Sequence, residues 1–523
     1  MTGVLAWGVP TPVFPFKSYR KGQKEALERA RNAFLKGKRF VVIEAPTGAG
    51  KSAIAVTLAR EAANAYILTA QKILQQQYLG DFPDLALMKG RSNYPCLVAP
   101  THTAAAPCIA GHRFPQCDDC PYFSAKEEAM ASSNAIMNYA YYLAELNYSG
   151  GFGRRELLVL DEAHNAEASL MNFIQVTLSD GALARAGLAE RLPSILEEEE
   201  YFVFAEKLLP HLKHRGGELD QRLRAGNLTN ELSLAMMKTR QWLDNQLRRL
   251  ELLIASREEE FVEWVVEQRR TTEGQTVTFK PVTVATFAED LLFGFADRVL
   301  MMSATILDPP TYLRALGLDS GEVEVVTIGS DFPLENRPIL LRPVARLTRH
   351  HLDRDLPKLV REIGNLFETH PFDKGVIHSH SYRISSFIAK NLPKRYLPRL
   401  VTHYGSDGRS AALERHLQSP APTVLLTPSM TEGIDLANDL SRWQVICKIP
   451  YPYLGDPQVA KRKAFDAAWY DWRTCLTVVQ AYGRSVRSDD DYAVTYLLDA
   501  DFPAFLRRQQ RRLPGWFLEA IRE

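Results

Sequence analysis

Cysteine is scarce in this sequence: six among 523 residues, too few for a disulfide scaffold in a chain this long. Long apolar runs are missing as well. No segment approaches the ~18 consecutive apolar residues of a membrane-spanning helix, and the opening segment, broken by Pro10, Pro12 and Pro15, carries no basic leader. A soluble intracellular protein is therefore expected. Neither sign of charge dominates, since 63 Lys and Arg against 62 Asp and Glu leave a formal net charge of +1. Any affinity for a polyanion must then come from a local basic channel rather than from overall charge. Internal repeats are not evident, and 46% hydrophobic residues with 30 Gly and 30 Pro exclude collagen-like and wholly disordered classes. At about 150 residues per domain, the length predicts three or four domains.

What is present begins with a βαβ pattern. Residues 24–36 have helical apolar spacing, RFVVIEAP reads as a buried strand, SAIAVTLAREAA as a helix and AYILTA as a second strand. That order predicts a parallel sheet with crossover helices. After residue 370 the style returns in KGVIHSH, RLVTHYG, TVLLTPS and WQVICKI, which predicts a second α/β domain. Between them, residues 170–260 read as long amphipathic helices closed by a hairpin, FVEWVVEQR and TVTFKPV, that turns at Glu273-Gly274. The acidic run from Glu197 to Glu200 reads as a solvated helix face.

The first chemical signal is Ala45-Pro46-Thr47-Gly48-Ala49-Gly50-Lys51-Ser52, after a predicted strand and opening a predicted helix. This is the context of a phosphate-binding loop, with Ala45 in place of the usual first glycine. Backbone N–H groups there can wrap a triphosphate, Lys51 can reach its outer oxygens and Ser52 can coordinate Mg²⁺. About 110 residues on, ELLVLDEAHN ends an apolar strand in Asp161-Glu162-Ala163-His164. Asp161 suits the Mg²⁺ shell and Glu162 the base that orients an attacking water.

Cys96, Cys108, Cys117 and Cys120 fall within 25 residues, spaced C-x11-C-x8-C-x2-C. Four thiolates suit either tetrahedral Zn²⁺ or a [4Fe–4S] cluster, and spacing alone does not choose. On general frequency, the terminal C-x2-C with His102 and His112 nearby favours zinc. Cys447 and Cys475 read as buried, inert thiols.

With Ser303-Ala304-Thr305 at the end of RVLMMSAT, these motifs resemble a superfamily-two helicase motor. Tyr19-Arg20-Lys21-Gly22-Gln23 resembles its adenine-reading motif, and LLTPSMTEGIDL, with Glu432, Gly433 and Asp435, its fifth. Gln480-Ala481-Tyr482-Gly483-Arg484-Ser485-Val486-Arg487 resembles its sixth, in the form used by the XPD/DinG family of DNA helicases. The resemblance implies an α/β fold: two RecA-like P-loop NTPase domains, an inserted iron–sulfur module and a mainly helical Arch-like insertion. It implies motor domain 1 at residues 1–90, 125–168 and 286–330, the iron–sulfur module at 91–124, the Arch-like insertion at 169–285 and motor domain 2 at 331–523.

The implied cofactors are ATP, Mg²⁺ and a [4Fe–4S] cluster on the four cysteines, a choice made by the module's place in the chain. Lys51, Asp161, Glu162, Arg484 and Arg487 are the implied catalytic set, with Arg487 as the arginine finger and Arg484 bridging to the first lobe. Arg20, Gln23, Thr47, Gly48, Ala49, Gly50, Ser52, Gly433, Asp435 and Gln480 are the implied nucleotide contacts. The implied substrate is single-stranded DNA and DNA with a 5′ tail, traversed 5′ to 3′ in repair or replication, in the cytoplasm or a nucleus and away from membranes.

Strand-end positions make Thr69, Gln71, Arg91, Ser379, His380 and Thr431 candidate phosphate or sugar contacts or, equally, turn or core-edge residues. Tyr94, Tyr122 and Phe123 can either stack bases or pack around the cysteines. Arg507, Arg508, Arg511 and Arg512 read as a basic helix with a solvated face. The competing functions are an RNA helicase or double-strand translocase, told apart by which polymer stimulates ATP turnover, and a non-catalytic DNA-binding scaffold, against which stands the full set of motor residues.

Overall fold

The computed structural model describes residues 14–99, 101–106, 108, 115–194, 197–225, 230–272, 274–329, 332–403, 405, 408–429, 436–486 and 490–522. The first strands are Phe40–Glu44 (β1), Ala65–Thr69 (β2), Ala86–Leu87 (β3), Asn134–Asn138 (β4) and Arg155–Asp161 (β5). An insertion follows with Val176–Ser179 (β6), Trp264–Thr271 (β7) and Gly274–Pro281 (β8). Ala296–Ser303 (β9) and Val323–Thr327 (β10) then complete a seven-stranded sheet of order β10-β1-β9-β5-β2-β4-β3. All its pairings are parallel, so the carboxyl ends of β1, β2, β5 and β9 lie along one edge.

Both faces of this sheet are covered, which is why its strands are apolar without a polar face. One face, with Val41, Ile43, Ile67, Val159 and Met302, packs under the Gln23–Leu35 and Lys51–Glu61 helices. The other, with Val42, Leu68, Leu160 and Met301, joins a larger core that runs into the insertion.

The second sheet comprises Ile339–Ala345 (β11), Gly375–His378 (β12), Leu400–Thr402 (β13), Val424–Thr427 (β14), Trp443–Ile446 (β15), Val494–Asp499 (β16) and Ile521–Arg522 (β17). Its order is β13-β14-β12-β15-β16-β11-β17, again with parallel pairings. These are the two parallel α/β lobes expected.

The insertion is built on two long helices, Glu198–Arg224 and Asn230–Arg257, which pack along one another and are tied by Arg240 to Asp220 at 2.9 Å. The expected hairpin is β7–β8, with Glu273 outside the described residues. A third strand, β6, pairs antiparallel with β8 and was not expected. Its two-residue period is there, with Val176 and Leu178 buried and Thr177 exposed, but four residues are too short for the pattern to register.

The largest departure from two separate lobes is the Ala467–Tyr482 helix. Its first half puts Trp469, Tyr470, Trp472 and Leu476 into the core of the first lobe. Its second half puts Cys475, Val478, Val479 and Tyr482 into the core of the second. A buried ion pair fixes the first half: Glu167, just after the acidic motif, meets Arg462 at 3.1 Å, and the indole Nε1 of Trp469 lies 3.0 Å from both carboxylate oxygens. Arg462 also donates to the Val282 carbonyl at 3.3 Å and lies over the Trp469 ring. Both charged side chains are nearly inaccessible, at 2% and 7%.

Removing one partner of such a pair leaves a buried uncompensated charge, at a cost of about 3–5 kcal/mol. Glu167→Ala is therefore expected to lower the urea midpoint strongly, and Trp469→Phe, which keeps the ion pair, to lower it less. Equal midpoints for Glu167→Ala and the parent would show that the pair does not hold the helix.

Candidate active site

β1 delivers the chain to the phosphate-binding loop at the carboxyl edge of the first sheet, and the Lys51–Glu61 helix starts at once behind it. Gly48 and Gly50 have φ of 83° and 77°, the left-handed region that glycine enters at little cost. At Gly50 there is a second reason. A Cβ there would stand 2.0 Å from the Gln23 amide nitrogen, which donates to the Gly50 carbonyl at 3.2 Å. Gln23 Oε1 in turn accepts the Arg20 N–H at 2.6 Å, and the Arg20 guanidinium donates to the Gly48 carbonyl. Arg20 and Gln23 thus clasp the loop that contains Thr47, Gly48, Ala49 and Gly50. Lys51 Nζ donates to the loop's own Ala45 and Pro46 carbonyls at 3.1 and 3.4 Å, and Ser52 follows it in the first helical turn.

Asp161 ends β5, two strands from β1 in the sheet. Its Oδ2 accepts the Tyr78 hydroxyl at 3.1 Å, its Oδ1 accepts the Glu162 N–H at 3.0 Å, and the Tyr139 hydroxyl donates to its carbonyl at 3.0 Å. Burial, then the Glu162 charge, pushes its carboxyl above the ordinary range, while the Lys51 charge pulls the other way. Glu162 occupies a left-handed conformation, φ 49°, that turns the chain sharply off the strand. Its side chain is 30% exposed, against near-complete burial of Asp161. The neighbouring carboxylates thus sit in unlike surroundings, one buried and hydrogen-bonded, the other open to solvent.

His164 extends the site sideways. Its Nδ1 lies 2.8 Å from Ser303 Oγ, which accepts the Thr305 N–H at 3.0 Å. Thr305 Oγ1 accepts from Gln480 Nε2 at 3.4 Å, and the Gln480 carbonyl accepts Arg484 Nε at 3.0 Å. A hydrogen-bonded path therefore runs from the acidic motif through Ser303 and Thr305 to the arginine motif of the second lobe. Arg487, Thr431, Glu432, Gly433 and Asp435 lie outside the described residues.

Two segments of the chain match family models: residues 16–180 that of the type III restriction enzyme res subunit, and residues 363–520 that of the helicase C-terminal domain. A probable ATP-dependent helicase of Methanocaldococcus jannaschii is 23% identical over 95% of this chain and 94% of its own length. The ATP-dependent DNA helicase YoaA of Escherichia coli is 22% identical over 95% and 93%, and DinG of Photobacterium profundum 23% identical over 78% and 70%. A solved XPD helicase superposes over 95% of this chain and 98% of its own with a TM-score of 0.67 at 16% identity. Xpd4 of S. tokodaii covers 96% and 99% with a TM-score of 0.58 at 15% identity. The chain carries a helicase domain and is similar over nearly its whole length to ATP-dependent helicases of the XPD/DinG kind.

Within this XPD/DinG-like chain, the four cysteines line a single small cavity together with Leu97, Val98, Thr103, Ala106, Gln116 and Phe123. Cys117 and Cys120 are buried, Cys96 and Cys108 half-buried, and no disulfide joins any of them. Cys120 immediately precedes the Pro121–Ala131 helix, and a 2.8 Å bond from the Cys96 N–H to the Thr101 carbonyl closes the first loop. His102 is exposed and does not line the cavity, and His112 lies outside the described residues. Among the described residues, no three His, Cys, Asp or Glu side chains are grouped to hold one metal ion.

The structure gives individual side chains their surroundings. The Arg91 guanidinium lies over the Tyr122 ring at 4.4 Å and donates to Cys108 Sγ at 3.9 Å. Tyr122 is fully buried and meets Tyr94 and Phe123 edge-on, so these rings pack around the cysteines. Thr69 and Ser379 are buried, bonded to the Gln71 carbonyl and to Ser385 Oγ. Arg512 is not on a solvated helix, since the Phe502–Gln509 helix has ended and Arg512 pairs across the lobes with Asp308 at 3.0 Å. Arg507, Arg508 and Arg511 are exposed as expected. Cys447 and Cys475 are buried, and burial raises both thiols, Cys475 to about 12. No helix among the described residues is long and apolar enough to cross a membrane.

Sequence reasoning missed Tyr78, Glu167, Arg462, Trp472 and Glu44. Only Glu44 left a local signal, a carboxylate ending an otherwise apolar strand.

His378 and His380 sit at the carboxyl end of β12, with both ring nitrogens of His378 and Nε2 of His380 buried and without a hydrogen-bond partner. Burial depresses both imidazoles, aided by each other's proximity and Arg484 for His378 and by Lys448 for His380, which falls to about 3. The folded state thus takes up fewer protons than the unfolded state below ~6.5, so this stability is complete above that pH and is lost as pH falls. Denaturant unfolding between pH 7.5 and 5 is expected to show a loss approaching about 1.4 kcal/mol per pH unit for each imidazole. His378→Leu should flatten the slope by one proton, and an unchanged slope would refute the assignment.

Proposed function

We propose that this chain is an ATP-driven DNA helicase that moves 5′ to 3′ along single-stranded DNA and opens duplex ahead of it, in DNA repair or replication. The observation that carries the reading is the path His164–Ser303–Thr305–Gln480–Arg484, which links the hydrolytic carboxylates of one lobe to the arginines of the other. A motor needs that link, because nucleotide must be sensed from both sides before the lobes can move on a strand. DNA is the substrate named for the relatives YoaA and DinG.

In this reading Lys51 exchanges its two loop carbonyls for the outer phosphate oxygens, and the N–H groups opening the Lys51–Glu61 helix take the inner ones. Ser52 and Asp161 would hold Mg²⁺, whose charge would neutralise the phosphate oxygens. Glu162, exposed beside the buried Asp161, orients the attacking water. Arg484 and Arg487 approach the γ-phosphate as the lobes close, the latter on the strength of the motif alone. Gly433 and Asp435 complete the nucleotide contacts on the same footing.

The donor set at the cysteine cavity suits a [4Fe–4S] cluster: the metal-binding side chains lining it are four sulfurs, with neither carboxylate nor imidazole among them. Cys96, Cys108, Cys117 and Cys120 would hold it, and bound there it supplies a rigid cross-link to a module with little regular structure. Arg91 lies against Cys108 Sγ, where its charge would favour a thiolate ligand.

Lys51→Ala and Glu162→Gln are each expected to reduce DNA-stimulated ATP hydrolysis by roughly 10²-fold or more, the second while still binding nucleotide. Near-parental turnover in both would leave a DNA-binding scaffold. Stimulation by RNA and not by DNA would reassign the polymer.

Anaerobically purified protein is expected to be brown and to hold about four irons with sulfide, by the thiolate chemistry of the site. Cys96→Ser should keep much of the ATP turnover and lose opening of a 5′-tailed duplex. One zinc and no iron would overturn the cluster, and opening only from 3′ tails would overturn the polarity.

A further inference from the structure

Glu44 ends β1, one residue before the phosphate-binding loop, where the adjacent backbone is already bonded to β9 through the Ala45 N–H and the Ser303 carbonyl at 2.9 Å. Its carboxylate does not face the nucleotide loop. One oxygen, Oε1, accepts the N–H groups of both Ile306 and Leu307 at 2.8 Å. Leu307 has φ 65°, a left-handed conformation that a leucine rarely adopts, and it brings two consecutive N–H groups to bear on one anion. The carboxylate thus holds a strained turn in place, and burial is the main influence on it, raising its carboxyl against the pull of those two N–H groups.

The same turn is gripped by the helix that the two lobes share and by the second lobe. The Ile306 carbonyl accepts the indole N–H of Trp472 at 2.7 Å, Thr305 takes Gln480 at 3.4 Å, and Asp308 takes Arg512 at 3.0 Å. Trp472 and Gln480 lie about two turns apart on the Ala467–Tyr482 helix, whose end leads into Arg484.

We propose that Glu44 is a positioning residue: through the strained turn at Ile306 and Leu307 it sets Trp472 and the helix behind it, and so registers the second-lobe arginines against the phosphate-binding loop. The inference rests on the motor reading above and adds to it a second connection, parallel to the one through His164. Glu44 touches no phosphate in this scheme. Its contribution falls on the step that needs both lobes in register, so kcat carries it and nucleotide affinity does not.

The test is steady-state ATP hydrolysis by the full chain with and without single-stranded DNA, for the parent, Glu44→Ala, Glu44→Gln, Trp472→Phe and the Glu44→Ala/Trp472→Phe pair. Glu44→Ala is expected to lower the DNA-stimulated kcat roughly tenfold with KM for ATP little changed. Glu44→Gln retains an acceptor oxygen for the two N–H groups and should restore most of the loss. Trp472→Phe removes only the bond to Ile306 and should show the same kcat signature, and the pair should be little worse than Glu44→Ala alone, because both act through one turn.

A raised KM with unchanged kcat in Glu44→Ala would make Glu44 part of phosphate binding and overturn the proposal. Fully additive losses in the pair would overturn it as well. Should Glu44→Ala fail to fold, Trp472→Phe decides: parental kcat there refutes the connection. A parent without DNA stimulation would instead defeat the motor reading, a result distinct from parental behaviour in the Glu44 variants.

Discussion

One helix has to satisfy two hydrophobic cores at once, and most of the site's geometry follows from that. Trp469, Trp472 and Leu476 of the Ala467–Tyr482 helix are buried with the first lobe, Val478, Val479 and Tyr482 with the second. Apolar burial is non-directional and would tolerate a sliding helix. The Glu167–Arg462 pair, with Trp469 donating to the same carboxylate, does not, because a buried charge is stable only where its partner is. That pair turns a greasy contact into a fixed register, and Gln480 and Arg484 inherit it.

The nucleotide edge shows the same logic on a smaller scale. Polar groups brought to the ends of buried strands must find partners in the fold until a ligand offers better ones. Lys51 is satisfied by the carbonyls of its own loop and Asp161 by Tyr78 and the Glu162 N–H. Those bonds are local and exchangeable. Glu44, Ser303 and Thr305 are instead bonded to residues far away in the chain, between strands and between lobes.

The divide between what the sequence disclosed and what it did not runs along sequence separation. Strand, glycine turn and helix around Lys51 are contiguous, as are the apolar run and carboxylates at Asp161, so their pattern is legible in a window of a dozen residues. The same holds for the β7–β8 hairpin and for four cysteines within 25 residues. Arg462 reads as one more basic residue on an amphipathic helix until Glu167, 295 positions earlier, is brought to it by the fold. Arg512 was misread for the same reason: its partner Asp308 lies beyond any local pattern. Arg91 shows a subtler limit, since a basic residue beside aromatics and cysteines suits a phosphate contact or a cation over a ring equally well, and only packing against Tyr122 decides.

Continuity of the first core also bears on where the motor can bend. Phe40 of β1, Leu160 of β5, Cys120 and Tyr122 of the cysteine module, Leu208 of the insertion and Trp472 all belong to one buried cluster. Close-packed interiors transmit displacement rather than absorb it, so the cysteine module, the insertion and the first half of the Ala467–Tyr482 helix move with the first lobe. The second sheet has its own cores and is joined to this body through the later half of the same helix. Cys475 to Gly483, immediately before Arg484, is the stretch in which that helix passes from the first core to the second. A small rotation there changes the distance between the arginine motif and Lys51 while leaving the cysteine module still with respect to the first sheet. The helix that leads into the arginine motif is thus shared between two packed bodies, and the cysteine module belongs to one of them.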